Sequence, residues 1–268
     1  MDSYAALSGE TRVIAIVGDP IAQVKSPAGV TQALLEKGRN AVVVPIHVSP
    51  VDLEAFVRGV SLAKNFDGLI VTVPHKFAAY PLCATATARA HFLGAVNTLR
   101  RNADGSWHGD MFDGIGFVAG LRAVGCQPQG QAALLVGAGG AGSAIAQALV
   151  ESGVASLAIH DGDSGRREAL IDRLRSRYAV PVTTGSADPS ACTLVVNATP
   201  VGMRSGDPLP VDIDKLTPRM FVGDVITAPA VTPLLEAARR IGCGTQVGAG
   251  MFLGVRELMV AFLLEGAA

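Results

Sequence analysis

Short apolar runs of about five residues recur along the chain, and longer segments with helical spacing separate them. Val13 to Val17 is the first run, and Gly18-Asp19-Pro20 breaks it. Ser26-Pro27 opens a helix in the favoured cap-and-proline pattern, and Gly38 closes it. Ala41 to Ile46 predicts a second strand. Ser49-Pro50 opens the next helix, with Leu53, Phe56, Val57 and Val60 on one face. Leu69 to Val73 predicts a third strand ending at Pro74, so His75-Lys76 lies just past a strand's C-terminal end, where open α/β sheets place their ligand chemistry. A helix is expected over Thr85 to Leu93. A hairpin around Asp104-Gly105 follows, from Ala95–Arg101 and Ser106–Gly109, and then a helix from Asp113 to near Gly125.

The second half centres on Ala132 to Asp161. A strand-like run to Gly137 leads into Gly137-Ala138-Gly139-Gly140-Ala141-Gly142, which contains G-x-G-x-x-G. An alanine-rich helix to Val150 and a second run, Ala155 to Ile159, follow, with Asp161 at its end. In that context the glycines let the backbone turn tightly and approach a pyrophosphate, and the helix N-terminus faces it with free N–H groups. Asp161 stands 19 residues after Gly142, where a carboxylate can accept from an adenosine ribose. A helix near Arg166–Tyr178, strands at Leu194–Asn197 and Met220–Val225, a helix from Thr232-Pro233 to near Ile241 and a last helix from about Met251 to Leu264 complete the pattern.

Alternation of strands and helices predicts an α/β protein of two domains with mostly parallel sheets. The expected division is an N-terminal substrate-binding α/β domain over residues 1–110, completed by the C-terminal helix in 242–268. A Rossmann-type dinucleotide-binding domain covers 111–241, and a cleft between the two is expected to close.

Composition narrows the partners. The 268 residues are 49% hydrophobic and 17% charged, enough for a sizeable core, and the net charge of −1 gives no footprint for nucleic acid or an anionic membrane. Residues 132–150 are apolar enough to resemble a short membrane span, but four glycines and the fingerprint argue for a buried strand and helix. Four widely spaced cysteines, without a CxxC pair, point away from disulfides and zinc and towards a reducing cytoplasm. MDSYAALSGETR lacks the basic and apolar regions of a signal peptide. His47, His91, His108 and His160 show no metal-ligand spacing, so no metal is expected. His75 is expected to pack rather than to touch substrate, and Trp107 likewise.

Lys76 and Asp113 are the candidate catalytic pair. Lysine serves as a general base where burial or a neighbour favours its neutral form, and an aspartate beside it can orient a hydroxyl. Moving hydride from a secondary alcohol requires removal of the hydroxyl proton, which such a pair can perform. A solvated lysine at a helix start and an aspartate N-cap would give the same residues.

Together these motifs resemble the shikimate dehydrogenase family over nearly the whole chain. The stretches that carry the resemblance are GDPIAQVKSP (Gly18–Pro27), VTVPHK (Val71–Lys76), GAVNTL (Gly94–Leu99), GDMFDGIG (Gly109–Gly116), GAGGAG (Gly137–Gly142), NATPVGM (Asn197–Met203) and GAGMF (Gly248–Phe252). The resemblance implies reversible oxidation of a ring hydroxyl of a cyclic polyol carboxylate such as shikimate or quinate, by a monomer or homodimer. Lys76 would be the catalytic lysine and Asp113 its partner, with Asn97 and Thr72 holding other substrate oxygens. Thr199, Val225 and Gly248 would lie along the cofactor towards the nicotinamide.

Departures from the family pattern point to a less polar pocket. Val24 replaces one of two serines that hold the substrate carboxylate, while Ser26 remains as a substrate ligand or as a helix cap. Ile70, Met111-Phe112 and Thr227 replace an asparagine, an asparagine-threonine pair and a tyrosine. Val255 replaces the glutamine that contacts ring hydroxyls. The usual asparagine-arginine-threonine after the second strand is Asp161-Gly162-Asp163, which favours NAD over NADP, although Arg166 and Arg167 lie nearby. The alternatives are an enzyme acting on a decarboxylated or amino-substituted ring, and a dinucleotide-binding regulator or scaffold that has lost efficient catalysis.

Overall fold

The computed structural model describes residues 7–22, 24 and 26–265. Residues 1–6, within the stretch read against a signal peptide, and Gln23 and Lys25 of the first motif lie outside the described residues. The chain forms two compact units, 1–112 with 256–268, and 113–255.

In the first unit, β1 (Arg12–Gly18) pairs in parallel with β2 (Ala41–His47) and β3 (Phe66–Val71). Helices α1 (Ser26–Glu36) and α2 (Leu53–Val60) provide the crossovers. β1 and β3 are almost continuously buried, as strands covered on both faces must be. The chain then turns through α3 (Lys76–Ala79), β4 (Thr85–Ala86) and α4 (Ala88–Leu93) into the antiparallel pair β5 (Thr98–Arg101) and β6 (Trp107–Asp110). Among the described residues the sheet runs β2-β1-β3-β5-β6-β4, with β5 antiparallel to β3.

This first sheet is less regular than the pattern implied. The third strand begins at Phe66 and stops at Val71, because the Thr72 carbonyl turns to accept the His75 N–H at 2.9 Å. The helix expected over Thr85–Leu93 is a short strand followed by a helix. Thr87 caps α4 through its side chain, and Gly94 ends it in the left-handed region. The hairpin's first strand starts at Thr98 rather than Ala95, since Val96 N–H donates instead to the Lys76 carbonyl at 3.0 Å.

The second unit opens with α5 (Asp113–Ala123). β7 (Ala132–Val136), α6 (Gly140–Glu151), β8 (Ser156–His160), α7 (Ser164–Arg175), β9 (Val182–Thr184), β10 (Leu194–Asn197), β11 (Phe221–Asp224), α8 (Pro233–Ile241) and β12 (Gly244–Gln246) follow. Its six described strands are all parallel, in the order β12-β11-β10-β7-β8-β9. This is the doubly wound Rossmann order, with its switch point between β7 and β10. Leu134, Val195, Val222, Leu234, Leu235 and Ala238 belong to the core cluster that joins this sheet to α8.

The last helix, α9, spans Gly248–Glu265, and the division between units falls within it, at Val255–Arg256. Residues 242–255, expected with the first domain, therefore group with the second. The cause is β12, a three-residue strand that adds to β11 in parallel and carries the chain past Ile241.

Candidate active site

In the first unit the sheet gathers Thr72, Lys76 and Asn97 at one end. β3 runs parallel to β1, so Thr72 and Lys76 follow the end that also carries Gly18. The antiparallel β5 starts there, and β6 ends there. Backbone bonds lock these segments together: Val71 N–H to Asn97 O at 2.7 Å, Asn97 N–H to Asp110 O at 2.9 Å, and Thr72 N–H to Val17 O at 2.9 Å. Gly18 permits the closest approach, since a Cβ there would stand 2.5 Å from Thr72 Cγ2.

Asn97 is 1% exposed, and its orientation is set. Its Oδ1 accepts from Phe112 N–H and from Thr98 Oγ1, each at 3.1 Å, which fixes Nδ2 as the donor end. Asp113 follows Phe112 directly, is 5% exposed and is the first residue of α5. Lys76 is half-buried at the start of α3. Its neighbour His75 is buried, with Nε2 donating to Val48 O at 2.8 Å, so it braces the turn that presents Lys76. Trp107 is also a packing residue, donating from Nε1 to Ser61 Oγ at 2.9 Å.

One brace was not read from the sequence. Asp110 accepts from Arg89 Nε at 2.7 Å, Arg89 Nη2 at 2.5 Å and Met111 N–H at 2.7 Å. The same guanidinium lies 5.1 Å over the Phe112 ring. A bidentate arginine–carboxylate pair of this kind is geometrically demanding, and here it stiffens the segment between β6 and Asp113. Ser26, half-buried, is the first residue of α1 rather than its cap.

The departures from the family pattern fall in different surroundings. Ile70, Met111 and Phe112 are at most 3% exposed and pack in the core. Val255 is 4% exposed, and its side chain backs onto Gly116, where a Cβ would stand 2.2 Å from Val255 Cγ2. Val24 and Thr227 are half-buried.

In the second unit the fingerprint lies at the switch point. Gly137 has φ +104°, and a Cβ there would meet Thr199 Cγ2 at 2.8 Å, so the loops after β7 and β10 touch. A Cβ on Gly142 would stand 1.9 Å from the Gly137 carbonyl oxygen. Only glycine permits this close turn onto the start of α6, whose first amide groups have no partner within the helix. Ala138, Gly139, Gly140 and Ala141 line the turn. This cradle fits a dinucleotide pyrophosphate.

Asp161 follows β8. Its Oδ2 accepts from Ala138 N–H at 2.6 Å, and its Oδ1 accepts from Asp163 N–H at 2.8 Å and Arg166 Nη2 at 2.7 Å. Burial opposes ionisation of this carboxyl, but those hydrogen bonds outweigh it and hold its pKa below the ordinary value. Arg166 is engaged by Asp161, and Arg167 by Glu168. Val225 and Gly248 adjoin each other: a Cβ on Gly248 would stand 2.6 Å from Val225 O.

Among the described residues no His/Cys/Asp/Glu group could hold a metal ion, and no helix is long and apolar enough to cross a membrane. The four thiols are free; burial pushes Cys83 up to about 12 and Cys126 up to about 11.

Comparison with known proteins matches residues 16–99 to the substrate-binding domain of shikimate dehydrogenase. The NADP(+) shikimate dehydrogenase of Rubrobacter xylanophilus is 38% identical over 256 residues, 94% of this chain and 90% of the relative. The chain belongs to the shikimate dehydrogenase family. Among solved structures, quinate dehydrogenase from Corynebacterium glutamicum in complex with NAD is 32% identical with a TM-score of 0.85, covering 95% of this chain and 94% of that one. The ligand-free 5-ketofructose reductase of Gluconobacter is 26% identical with a TM-score of 0.83, covering 95% and 93%.

Proposed function

We propose that this family member interconverts a ring hydroxyl and a ketone of a shikimate- or quinate-like cyclic polyol, using a nicotinamide dinucleotide. The observation that carries the reading is the set of segments tied together at one end of the first sheet: Thr72, Lys76, Asn97 and the chain leading into Asp113. When bound, the dinucleotide supplies the acceptor for the hydride that leaves the alcohol carbon. Lys76 takes the hydroxyl proton during oxidation and returns it during reduction, and Asp113 orients the same oxygen. Asn97, held with its amide donor outward from Phe112 N–H, and Thr72 bind other ring oxygens, with Ser26 beside them. Val255 contributes shape from behind α5 rather than a hydrogen bond.

The second unit binds the dinucleotide through Gly137–Gly142 at the pyrophosphate, Asp161 at the adenosine ribose, and Thr199, Val225 and Gly248 towards the nicotinamide. NAD is the preferred cofactor in this reading, because Asp161 replaces a neutral residue where NADP carries its 2′-phosphate.

A second reading, a substrate without a carboxylate, has its own support. Val24 offers no hydrogen bond in place of a serine, and Thr227 keeps a hydroxyl but on a far shorter side chain than a tyrosine. Among the described residues of the first unit each arginine already has a carboxylate or carbonyl partner. The likeness to 5-ketofructose reductase points the same way.

The test measures formation of reduced nicotinamide with NAD and NADP, offering shikimate, quinate and a neutral cyclic polyol. Lys76→Ala is expected to lower kcat by about 10²–10⁴-fold, the usual worth of a general base. Wild-type turnover of none of the three alcohols, or full activity in Lys76→Ala, would overturn the reading. Turnover of the neutral polyol alone would select the second.

A further inference from the structure

The loops assigned above to the nicotinamide end are held by one buried carboxylate. Asp224 is the last residue of β11 and is 0% exposed. Its Oδ1 accepts from Ile226 N–H at 2.9 Å, and its Oδ2 accepts from the Thr232 hydroxyl at 2.8 Å. Both oxygens lie 3.3 Å from Nδ2 of Asn197, itself 0% exposed at the end of β10.

Asn197 passes the constraint on. Its Oδ1 accepts from Thr199 N–H at 3.1 Å and from Thr199 Oγ1 at 2.7 Å, and its Nδ2 also donates to Val201 O at 3.2 Å. The Thr199 hydroxyl accepts in turn from Val201 N–H at 3.1 Å. On the other side, Ile226 N–H fixes the peptide after Val225. Gly248 sits against that segment, where a Cβ would lie 2.3 Å from Ile226 O. Thr199 and the Val225–Ile226 segment are thus set by a single network, and Gly248 packs against it.

The donors that meet Asp224 are an amide N–H, a hydroxyl and a carboxamide, all neutral. Burial raises its pKa above the usual carboxylate value, with those hydrogen bonds opposing the rise. A buried carboxylate without a cation is a costly way to tie two loops together. Its geometric return is bridging: two oxygens accept from three separate segments at once.

We propose that Asp224 is a positioning residue for hydride transfer, holding Thr199 and Val225 in register for the nicotinamide end of the dinucleotide while leaving the adenosine-diphosphate end untouched. The inference rests on the reading of Thr199, Val225 and Gly248 as nicotinamide-side residues.

An amide accepts at one oxygen only, so Asp224→Asn leaves either Ile226 N–H or Thr232 O–H without its acceptor. The experiment compares full-length wild type and Asp224→Asn for binding of ADP-ribose, which lacks the nicotinamide, binding of NADH and NADPH, and kcat. ADP-ribose affinity is expected to stay within about twofold. Affinity for the whole dinucleotide and kcat are each expected to fall about tenfold, near 1.4 kcal/mol. Equal weakening of ADP-ribose and dinucleotide would reduce Asp224 to a general structural role and overturn the proposal. Unchanged binding and turnover would overturn it as well.

Should Asp224→Asn fail to fold, Thr232→Val removes one donor and leaves the carboxylate in place. Thr232→Ser, which keeps the hydroxyl, should recover the lost nicotinamide-end affinity, and absence of that recovery overturns the proposal. A wild-type chain that binds neither ADP-ribose nor dinucleotide would overturn the underlying cofactor reading, and the proposal with it.

Discussion

A carboxylate offers about four acceptor sites, and at Asp161 three are filled by Ala138 N–H, Asp163 N–H and Arg166. That leaves room for about one ribose hydroxyl, which is what NAD presents in place of the 2′-phosphate. Arg166 is 48% exposed in its side chain while bound to Asp161, so its guanidinium is open to solvent beside the proposed ribose ligand. In the proposed reading of Asp161 as the ribose ligand, the pair sets the cofactor ratio from both sides. Arg166→Ala is expected to lower NADPH efficiency about tenfold or more, since a hydrogen bond to a charged group is worth about 1.5–3 kcal/mol, with NADH efficiency changed less than about threefold. Asp161→Asn should shift the ratio towards NADPH by a similar factor. Steady-state kinetics with both cofactors checks this, and a ratio unmoved by either variant would refute it. Spacing alone marked Asp161 as a ribose ligand. It did not show that Arg166 turns back onto Asp161, because that pairing depends on how the first turn of α7 directs its side chains.

Helices and strands were legible where apolar runs were long enough to show a period. β1, β2, β7, β8 and β10 emerge within a residue or two of their expected ends, while α6 begins at Gly140, inside the fingerprint and three residues before the alanine-rich run at Ser143. β9 and β12, of three residues each, carry too few positions to show alternation, and missing β12 displaced the expected domain boundary. The helix beginning at Asp113 was readable as a helix, but not its crowding. A Cβ on Gly114 would stand 2.0 Å from the Ala144 carbonyl oxygen of α6. A backbone atom cannot yield as a flexible side chain can. Gly59 in α2 is also helical, and a Cβ added there would meet nothing within 4 Å. Helix propensity favours alanine over glycine by about 1 kcal/mol at either position, so packing decides the sign. Gly59→Ala is expected to stabilise by about 0.5–1 kcal/mol, and Gly114→Ala to destabilise by about 1–3 kcal/mol through overpacking. Urea unfolding of both variants tests the contrast, and a Gly114→Ala protein as stable as wild type would sink it.

Across the whole molecule, buried and half-buried carboxylates act on stability with opposite signs as pH changes. Asp67 is opposed by burial but held by hydrogen bonds and charge from Arg12 and Arg39, which keep its pKa below the ordinary value. Asp161 behaves the same way. A carboxylate with a depressed folded pKa contributes stability that is present above the unfolded value, about 3.9 for aspartate, and is lost as pH falls through the folded pKa. Asp224, raised by burial, has the reverse sign: its ionisation penalises the fold at higher pH, and that penalty lifts on acidification. With Asp104, Glu168, Asp188 and Asp207 also held below their ordinary values, six depressed carboxylates stand against one raised one among the described residues, which predicts a net loss of stability below about pH 4. Asp67→Asn separates these contributions, because it removes one depressed group without touching the second unit. The variant should be less stable than wild type at neutral pH by about 1–2 kcal/mol, between the values for exposed and buried ion pairs. It should also lose less stability than wild type on acidification from about pH 5 to about pH 3, since the charge that wild type gives up there is already absent. Urea titrations at these pH values decide the point: parallel acid losses in the two proteins would mean that Asp67 and its two arginines do not set the acid limit of the fold.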